Sequence, residues 1–309
     1  MRTSPGKALH VCLGTATLAL LLAATGCGGT DTEQPSSRKE PSSSAPRAQP
    51  EVPRAGDQKV TTTWKGKQRV YRVHAPPGYS PAKRLPAVVA MHMYPGDGEA
   101  IASLSGLSKK ADAKNFLVAY PDGLNSGYNA LTCCGTEDDV GFIKAMVQRL
   151  TSTWNADPDR VFATGISNGA DMSFKLAVEA HDLFAAVAPV SGAFSGNDPS
   201  DAAYVPKSPV SVMTFIGGLD RVKQMADAGI KSWQERLSCK PAPPQKLKNA
   251  ITRTAAQCKN GTDVVVYSLP EMGHAWPGAT TGSMGDAEAG VNATDLLWDF
   301  FAAHPKRRS

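Results

Sequence analysis

Between Arg160 and Ala177 an apolar run, Val161-Phe162-Ala163, meets Gly165-Ile166-Ser167-Asn168-Gly169 and passes into a helical pattern that continues to Val178, with Met172, Leu176 and Val178 at core-facing spacings. A strand that turns sharply into a helix at Gly-x-Ser-x-Gly leaves a chain few folds to adopt. The serine at such a turn takes a strained backbone conformation, and the two glycines let strand and helix approach without Cβ clashes. A hydroxyl is a weak nucleophile near neutral pH and must be held clear of backbone contacts beside a base. The free N–H groups and positive dipole end of the following helix favour negative charge developing there. Ser167 is therefore the candidate nucleophile, and the backbone N–H of Asn168 a candidate oxyanion donor. Such a five-residue pattern also arises by chance, and the alternative is a plain Gly-Ser loop between two core elements.

The rest of the chain supplies context. Lys59–Trp64 and Gln68–His74 flank Lys65-Gly66-Lys67 and predict an antiparallel hairpin, with His74 facing outward. Apolar runs at 85–91, 115–120, 185–191, 210–216 and 264–270 predict buried strands. Helical stretches near 100–114 and from Asp138 to about Trp154 alternate with them, and Asp138 is placed to cap the second. Alternation of this kind predicts an α/β fold: a mostly parallel central sheet with helices on both faces, opened by the hairpin. At 309 residues and 41% hydrophobic, the chain is long enough for one sizeable domain of that type. The long loop 121–137, with Tyr128, Asn129, Cys133 and Cys134, is expected to line the site.

Ligands of open α/β sheets bind at the carboxyl ends of the strands. Gly217-Gly218-Leu219-Asp220 directly follows the strand ending at Ile216, which makes Asp220 the candidate acid, although a loop Asp taken alone is more often a turn former. Of six histidines, His10 lies in the leader, His74 in the hairpin, His92 after an early strand, His181 at a helix end and His304 in the basic tail. His274 remains, in Glu271-Met272-Gly273-His274-Ala275-Trp276-Pro277-Gly278 after the last strand. Its imidazole could take the Ser167 proton and return it to a leaving alcohol while Asp220 fixes its tautomer. A buried structural histidine is the alternative. The second oxyanion N–H is expected from the loop after residues 85–91, at Tyr94 or Met93. Met93, Tyr128 and Trp276 are candidate pocket residues, with core packing an equal alternative for Trp276.

Arg2 and Lys7 precede the apolar run Val11–Ala24, too short to span a bilayer comfortably, so residues 1–26 read as a signal peptide. Leu21 to Cys27 resembles a lipobox, making Cys27 a candidate lipid attachment; ordinary signal cleavage nearby is the alternative. Residues 27–57, rich in Thr, Ser, Pro and Gln, predict a disordered tether, leaving 58–309 as the folded domain. Export implies an oxidising compartment, where Cys133, Cys134, Cys239 and Cys258 allow three connectivities. Cys239 with Cys258 is favoured, which leaves Cys133 and Cys134 as a vicinal disulfide or two thiols. No cysteine or histidine cluster has zinc-ligand spacing. The formal net charge of +5 includes two leader cations, and no basic stripe interleaved with aromatics argues for nucleic acid.

These residues together resemble the secreted poly(3-hydroxybutyrate) depolymerase and feruloyl esterase family of bacterial serine esterases. The matching pieces are Cys133-Cys134-Gly135 with Asp138-Asp139-Val140-Gly141-Phe142, Asp157-Pro158-Asp159-Arg160-Val161, Gly165-x-Ser167-Asn168-Gly169, Gly218-x-Asp220 and Gly273-His274-x-Trp276-Pro277-Gly278, spread over about Gln68 to Phe301. The resemblance implies an α/β-hydrolase fold, a triad falling on Ser167, Asp220 and His274, and a Cys239–Cys258 bridge. The chain departs from the family at Met93, where glycine is usual, at Tyr128, where tryptophan is common, and at Ala170 and Asp171, where glycine and methionine are usual. Those departures touch the acyl pocket and the oxyanion loop, so hydrolysis transfers from the family further than substrate does.

The function expected is hydrolysis of a small-molecule or polymeric carboxylic ester, of hydroxyalkanoate or feruloyl type, through an acyl-serine intermediate and with no metal or organic cofactor. A lipid anchor is the only membrane contact expected, and oligomeric state is left open. The other readings are acyl transfer or peptide hydrolysis on the same fold, and an inactive cell-surface binding protein.

Overall fold

In a computed structural model, residues 52–306 of the chain are described. The expected signal segment, Cys27 and the tether as far as residue 51 lie outside the described residues.

Strands β1 (Gly56–Trp64) and β2 (Lys67–Ala75) form the expected hairpin in continuous register from Gly56↔Ala75 to Trp64↔Lys67. The sheet therefore starts inside the span assigned to the tether, because the backbones of Gly56 and Asp57 already pair with Ala75 and His74. Strands β3 (Leu85–Met91), β4 (Leu117–Pro121), β5 (Ala156–Ile166), β6 (Ala186–Val190), β7 (Ser211–Gly217), β8 (Thr252–Gln257) and β9 (Asp263–Leu269) follow. Their order across the sheet is β1-β2-β4-β3-β5-β6-β7-β9-β8, with two-residue strands at Lys240–Pro241 and Gln245–Lys246 against β8. Pairings from β4 to β9 are parallel, and β1, β2 and β8 add antiparallel margins.

The sheet divides the core into two layers. In β3 the alternation is direct: Ala87, Val89 and Met91 face one layer, Val88 and Ala90 the other. Helices α3 (Asp139–Thr153), α4 (Asn168–Glu179) and α5 (Lys223–Arg236) cover the first through Phe142, Met146, Phe174 and Trp233. Helices α1 (Gly98–Ser105), α2 (Leu107–Lys114) and α6 (Ala293–Ala303) cover the second through Ile101, Leu107, Trp298 and Phe301. Each such side chain fully removed from water contributes about 1.5–3 kcal/mol, and stacking of Phe116 on Trp298 at 3.9 Å pins α6 to its face.

The structure changes three local expectations. The single helix expected at 100–114 is two, because Gly106 at φ 61 ends α1 with its N–H on Ala102 O and starts α2 in a new direction. His74 does not face outward: it is buried, with Nδ1 at 2.8 Å from Asp57 Oδ1 and Nε2 at 2.9 Å from Asp112 Oδ1. Helix α4 is buried on every side from Asn168 to Val178, since it lies between β5, β6, α3 and the loops above. Asp138 caps α3 as expected, accepting from Gly141 N–H at 3.0 Å and from Trp64 Nε1 at 3.1 Å.

Candidate active site

The carboxyl ends of β3, β5, β7 and β9 carry the candidate site residues. Ser167 links β5 to α4 at φ 57, ψ −120, a conformation that costs a non-glycine residue on the order of 1–3 kcal/mol. It is held there by its N–H on Val190 O (3.1 Å) and by its own carbonyl, which accepts from Ala170 and Asp171 N–H. The flanking glycines are steric requirements. A Cβ on Gly169 would lie 2.2 Å from Met91 O, and one on Gly165 2.5 Å from Gly169 O. The Ser167 turn thus presses on the end of β3, where the loop from His92 begins.

Asp220 follows β7 and is nearly buried. Its Oδ1 accepts from Val222 N–H at 2.9 Å, and both oxygens face His274 Nδ1, at 2.8 and 3.0 Å. Burial works to raise this carboxyl, but the hydrogen bonds from His274 and Val222 and the imidazole charge outweigh it, leaving Asp220 below its usual range. The loops bearing the pair touch: Cβ atoms on Gly217 or Gly218 would run into the backbone of Met272 or Pro270. With Nδ1 committed to Asp220, His274 Nε2 is left as an acceptor, buried and without a hydrogen-bond partner. Ser167 and His274 line one cavity of about 140 Å³. A larger hollow, about 560 Å³ between α1–α2 and residues 278–295, holds no such pair.

The loop after β3, the candidate oxyanion loop, is set by His92. His92 Nε2 accepts from Gly123 N–H at 2.9 Å, so its proton sits on Nδ1 and is donated to Met93 O at 2.6 Å. Burial holds His92 below its usual pKa, in the neutral form this pair of bonds needs. In a planar trans peptide C=O and N–H point opposite ways, so tying Met93 O to His92 turns the Tyr94 N–H away from it. Asn168 opens α4, where the first N–H groups have no intrahelical acceptor.

The expected pocket residues fall elsewhere. Tyr128 is fully buried beneath the site, its hydroxyl donating to Pro121 O (2.7 Å) and accepting from His92 N–H, its ring 4.5 Å from the imidazole. Trp276 is a core residue, with Nε1 donating to Thr294 Oγ1 at 3.0 Å. The Met93 side chain packs on the second core layer. The cavity is lined instead by residues 132–133 and 191–193 with Asp171, Arg221 and Met225.

Two supports of that wall were not anticipated. The Asn168 side chain accepts from Tyr128 N–H (2.8 Å) and donates to Tyr128 O (3.1 Å) and Cys133 O (2.9 Å). Below it, the buried pair Arg69–Asp139 (2.5 Å) also holds Asn129 N–H. Cys133 and Cys134 form a vicinal disulfide in this loop, and Cys239 is bridged to Cys258 as expected.

A family model described as Esterase PHB depolymerase matches residues 69–228, about half of the chain. The chain belongs to this esterase family. A protein named "Putative esterase NocK" from Nocardia uniformis subsp. tsuyamanensis is 30% identical, covering 92% of this chain and 96% of its own length. Feruloyl esterase C of Emericella nidulans is 28% identical over 76% of this chain and 84% of its own. Among solved structures, acetyl xylan esterase from Aspergillus awamori superposes with a TM-score of 0.60 at 17% identity, covering 80% of this chain and 99% of that one, a likeness of fold. This esterase is a carboxylic ester hydrolase on an α/β-hydrolase fold.

Proposed function

We propose that the esterase works through an acyl-serine intermediate on Ser167. The observation that carries this reading is His274 Nε2, buried and unpartnered in the cavity that Ser167 lines, with Nδ1 fixed by Asp220. Nε2 takes the Ser167 proton as Oγ bonds to the ester carbonyl carbon, and the imidazolium formed is stabilised by Asp220. The carbonyl oxygen, now negative, sits under the N–H groups of Asn168 and Tyr94. Collapse expels the alcohol, which leaves with the proton from Nε2. Water then repeats the sequence, giving its proton to His274 and its oxygen to the acyl group, and Ser167 regains its hydrogen.

The substrates are esters of hydroxyalkanoate or feruloyl type, either as small molecules or at accessible polymer ends. Two disulfides in the folded domain fit an exported protein, with residues 1–26 as signal, Cys27 as anchor and the following segment as tether to the membrane. The test is turnover of p-nitrophenyl butyrate by Ser167→Ala. Activity falls by about 10³-fold or more, while the melting temperature stays near that of the wild type; equal turnover in the two proteins rules the mechanism out.

A further inference from the structure

One side chain of the cavity has no part in the acyl-transfer chemistry. Asp171 is 6% exposed and lines the same hollow as Ser167 and His274. Its Oδ1 accepts from Ala193 N–H at 2.8 Å, and Oδ2 accepts from the Thr132 hydroxyl. An ionised carboxylate offers about four acceptor positions, so two remain. Among the described residues no lysine or arginine pairs with it, and His274, itself held by Asp220, is the one positive influence acting on it. Gly192 keeps the approach open: a Cβ there would stand 2.9 Å from Asp171 Oδ1.

Position relative to the nucleophile gives this carboxylate a meaning. Asp171 lies four residues after Ser167, in the first turn of α4, and donates its N–H to Ser167 O at 3.0 Å. An acyl group bound at Ser167 therefore enters the hollow that Asp171 also lines. The hollow they share is about 140 Å³, so Asp171 stands close to whatever part of an acyl group enters beside Ser167. An apolar chain placed there would strip water from a carboxylate and return no hydrogen bond, which is costly.

We propose that Asp171 is the acyl-selecting residue of this esterase, favouring acyl groups that carry a hydrogen-bond donor, a hydroxyl or a protonated amine, on the second or third carbon. The proposal rests on the acyl-serine reading above. Burial lifts this carboxyl to about 6, so it is largely ionised at neutral pH, able to accept from a hydroxyl and to pair with an ammonium. The other charged groups lining the hollow are His274 and, on the exposed side, Arg221.

The experiment compares p-nitrophenyl butyrate, 3-hydroxybutyrate and 3-aminobutyrate, each rate normalised to the ester's own alkaline hydrolysis. In the wild type at pH 7.5, kcat/KM for the donor-bearing esters exceeds that for butyrate by tenfold or more, the lower end of what a hydrogen bond to a charged group is worth. Asp171→Met brings that ratio to about one. Asp171→Asn can keep both protein partners, so the wall stands while the charge goes, and the amine loses more of its advantage than the hydroxyl does. A purely structural Asp171 leaves the ratio unchanged in Asp171→Asn, which overturns the proposal. So does a wild-type ratio near one, a result that needs no variant to fold. Turnover of butyrate with no preference sinks the proposal alone, whereas folded wild type that leaves all three esters intact sinks the acyl-serine reading as well.

Discussion

The two sides of the cavity are held by different physics. On the side proposed to react, Ser167, Asp220 and His274 stand at strand ends and are located by backbone: a positive φ, glycines with no room for a methyl group, and two loops in direct contact. On the side proposed to hold the acyl group, residues 132–133 and 191–193 are held largely by side chains that bond to loop backbone, namely Asn168 to Tyr128 and Cys133, and Asp171 to Ala193. The first arrangement is stiff because close-packed backbone has nowhere to go. The second is as strong as a handful of hydrogen bonds, each worth about 1 kcal/mol net, and so it is the side on which single substitutions change shape as well as chemistry.

Three substitutions sharpen that contrast. The largest effect is expected at Asp220→Asn, which preserves shape but presents His274 with the wrong tautomer; kcat falls by about 10⁴-fold, with little change in melting temperature. A drop of less than tenfold would mean that the reacting side does not depend on this contact. Next is Asn168→Ala, which keeps its backbone N–H but loses three hydrogen bonds to the wall. Stability falls by about 2–4 kcal/mol and kcat/KM by roughly 10- to 100-fold, so here stability and rate decline together; denaturant unfolding alongside kinetics reads both. If rate falls and stability does not, the wall is held by something other than this side chain.

The smallest is a pH effect on Asp171→Asn. The Asp171 carboxyl titrates near its ordinary 3.8 when unfolded and at about 6 when folded. Between those values the folded state holds more proton, so stability declines as pH rises from about 4 to about 6, and the cost is complete above that range. The uncharged amide escapes it. Asp171→Asn therefore gains ~2–6 °C over the wild type at pH 8 and less at pH 4, read by thermal melts at the two pH values. An equal gain at both would assign the effect to packing rather than charge.

The same contrast explains what could be read in the sequence. The places of Ser167, Asp220 and His274 at strand ends are legible because each follows an apolar strand by a few residues in a short motif; the fold sets His274 on Asp220 and in one hollow with Ser167. The rest of the hollow has no such signature. Asp171 could be noticed as an acid where the family has methionine, but its burial depends on Ala193 and Thr132, which reach it from other loops. Tyr128, expected in the pocket, points into the interior, where its hydroxyl finds Pro121 O, and Trp276 takes the core-packing alternative, its indole N–H on Thr294. His92 gave only its place after an early strand, and its control of the Met93 carbonyl depends on Gly123 N–H, thirty-one residues away. Gly106 was visible as a residue, but a helix pattern tolerates one glycine, and only its φ of 61 divides α1 from α2.

The close approach of Gly169 to the Met91 carbonyl couples the Ser167 turn to the end of β3. A replacement that shifts β3 lengthwise therefore presses on the backbone of this turn before it reaches any side chain of the hollow. A laboratory seeking new acyl preferences would start at Thr132 and Ala193, since a Cβ on Gly192 would lie 2.4 Å from Ala170 Cβ and Cys133 is held in a disulfide, and would treat the β3–α4 junction as a fixed part.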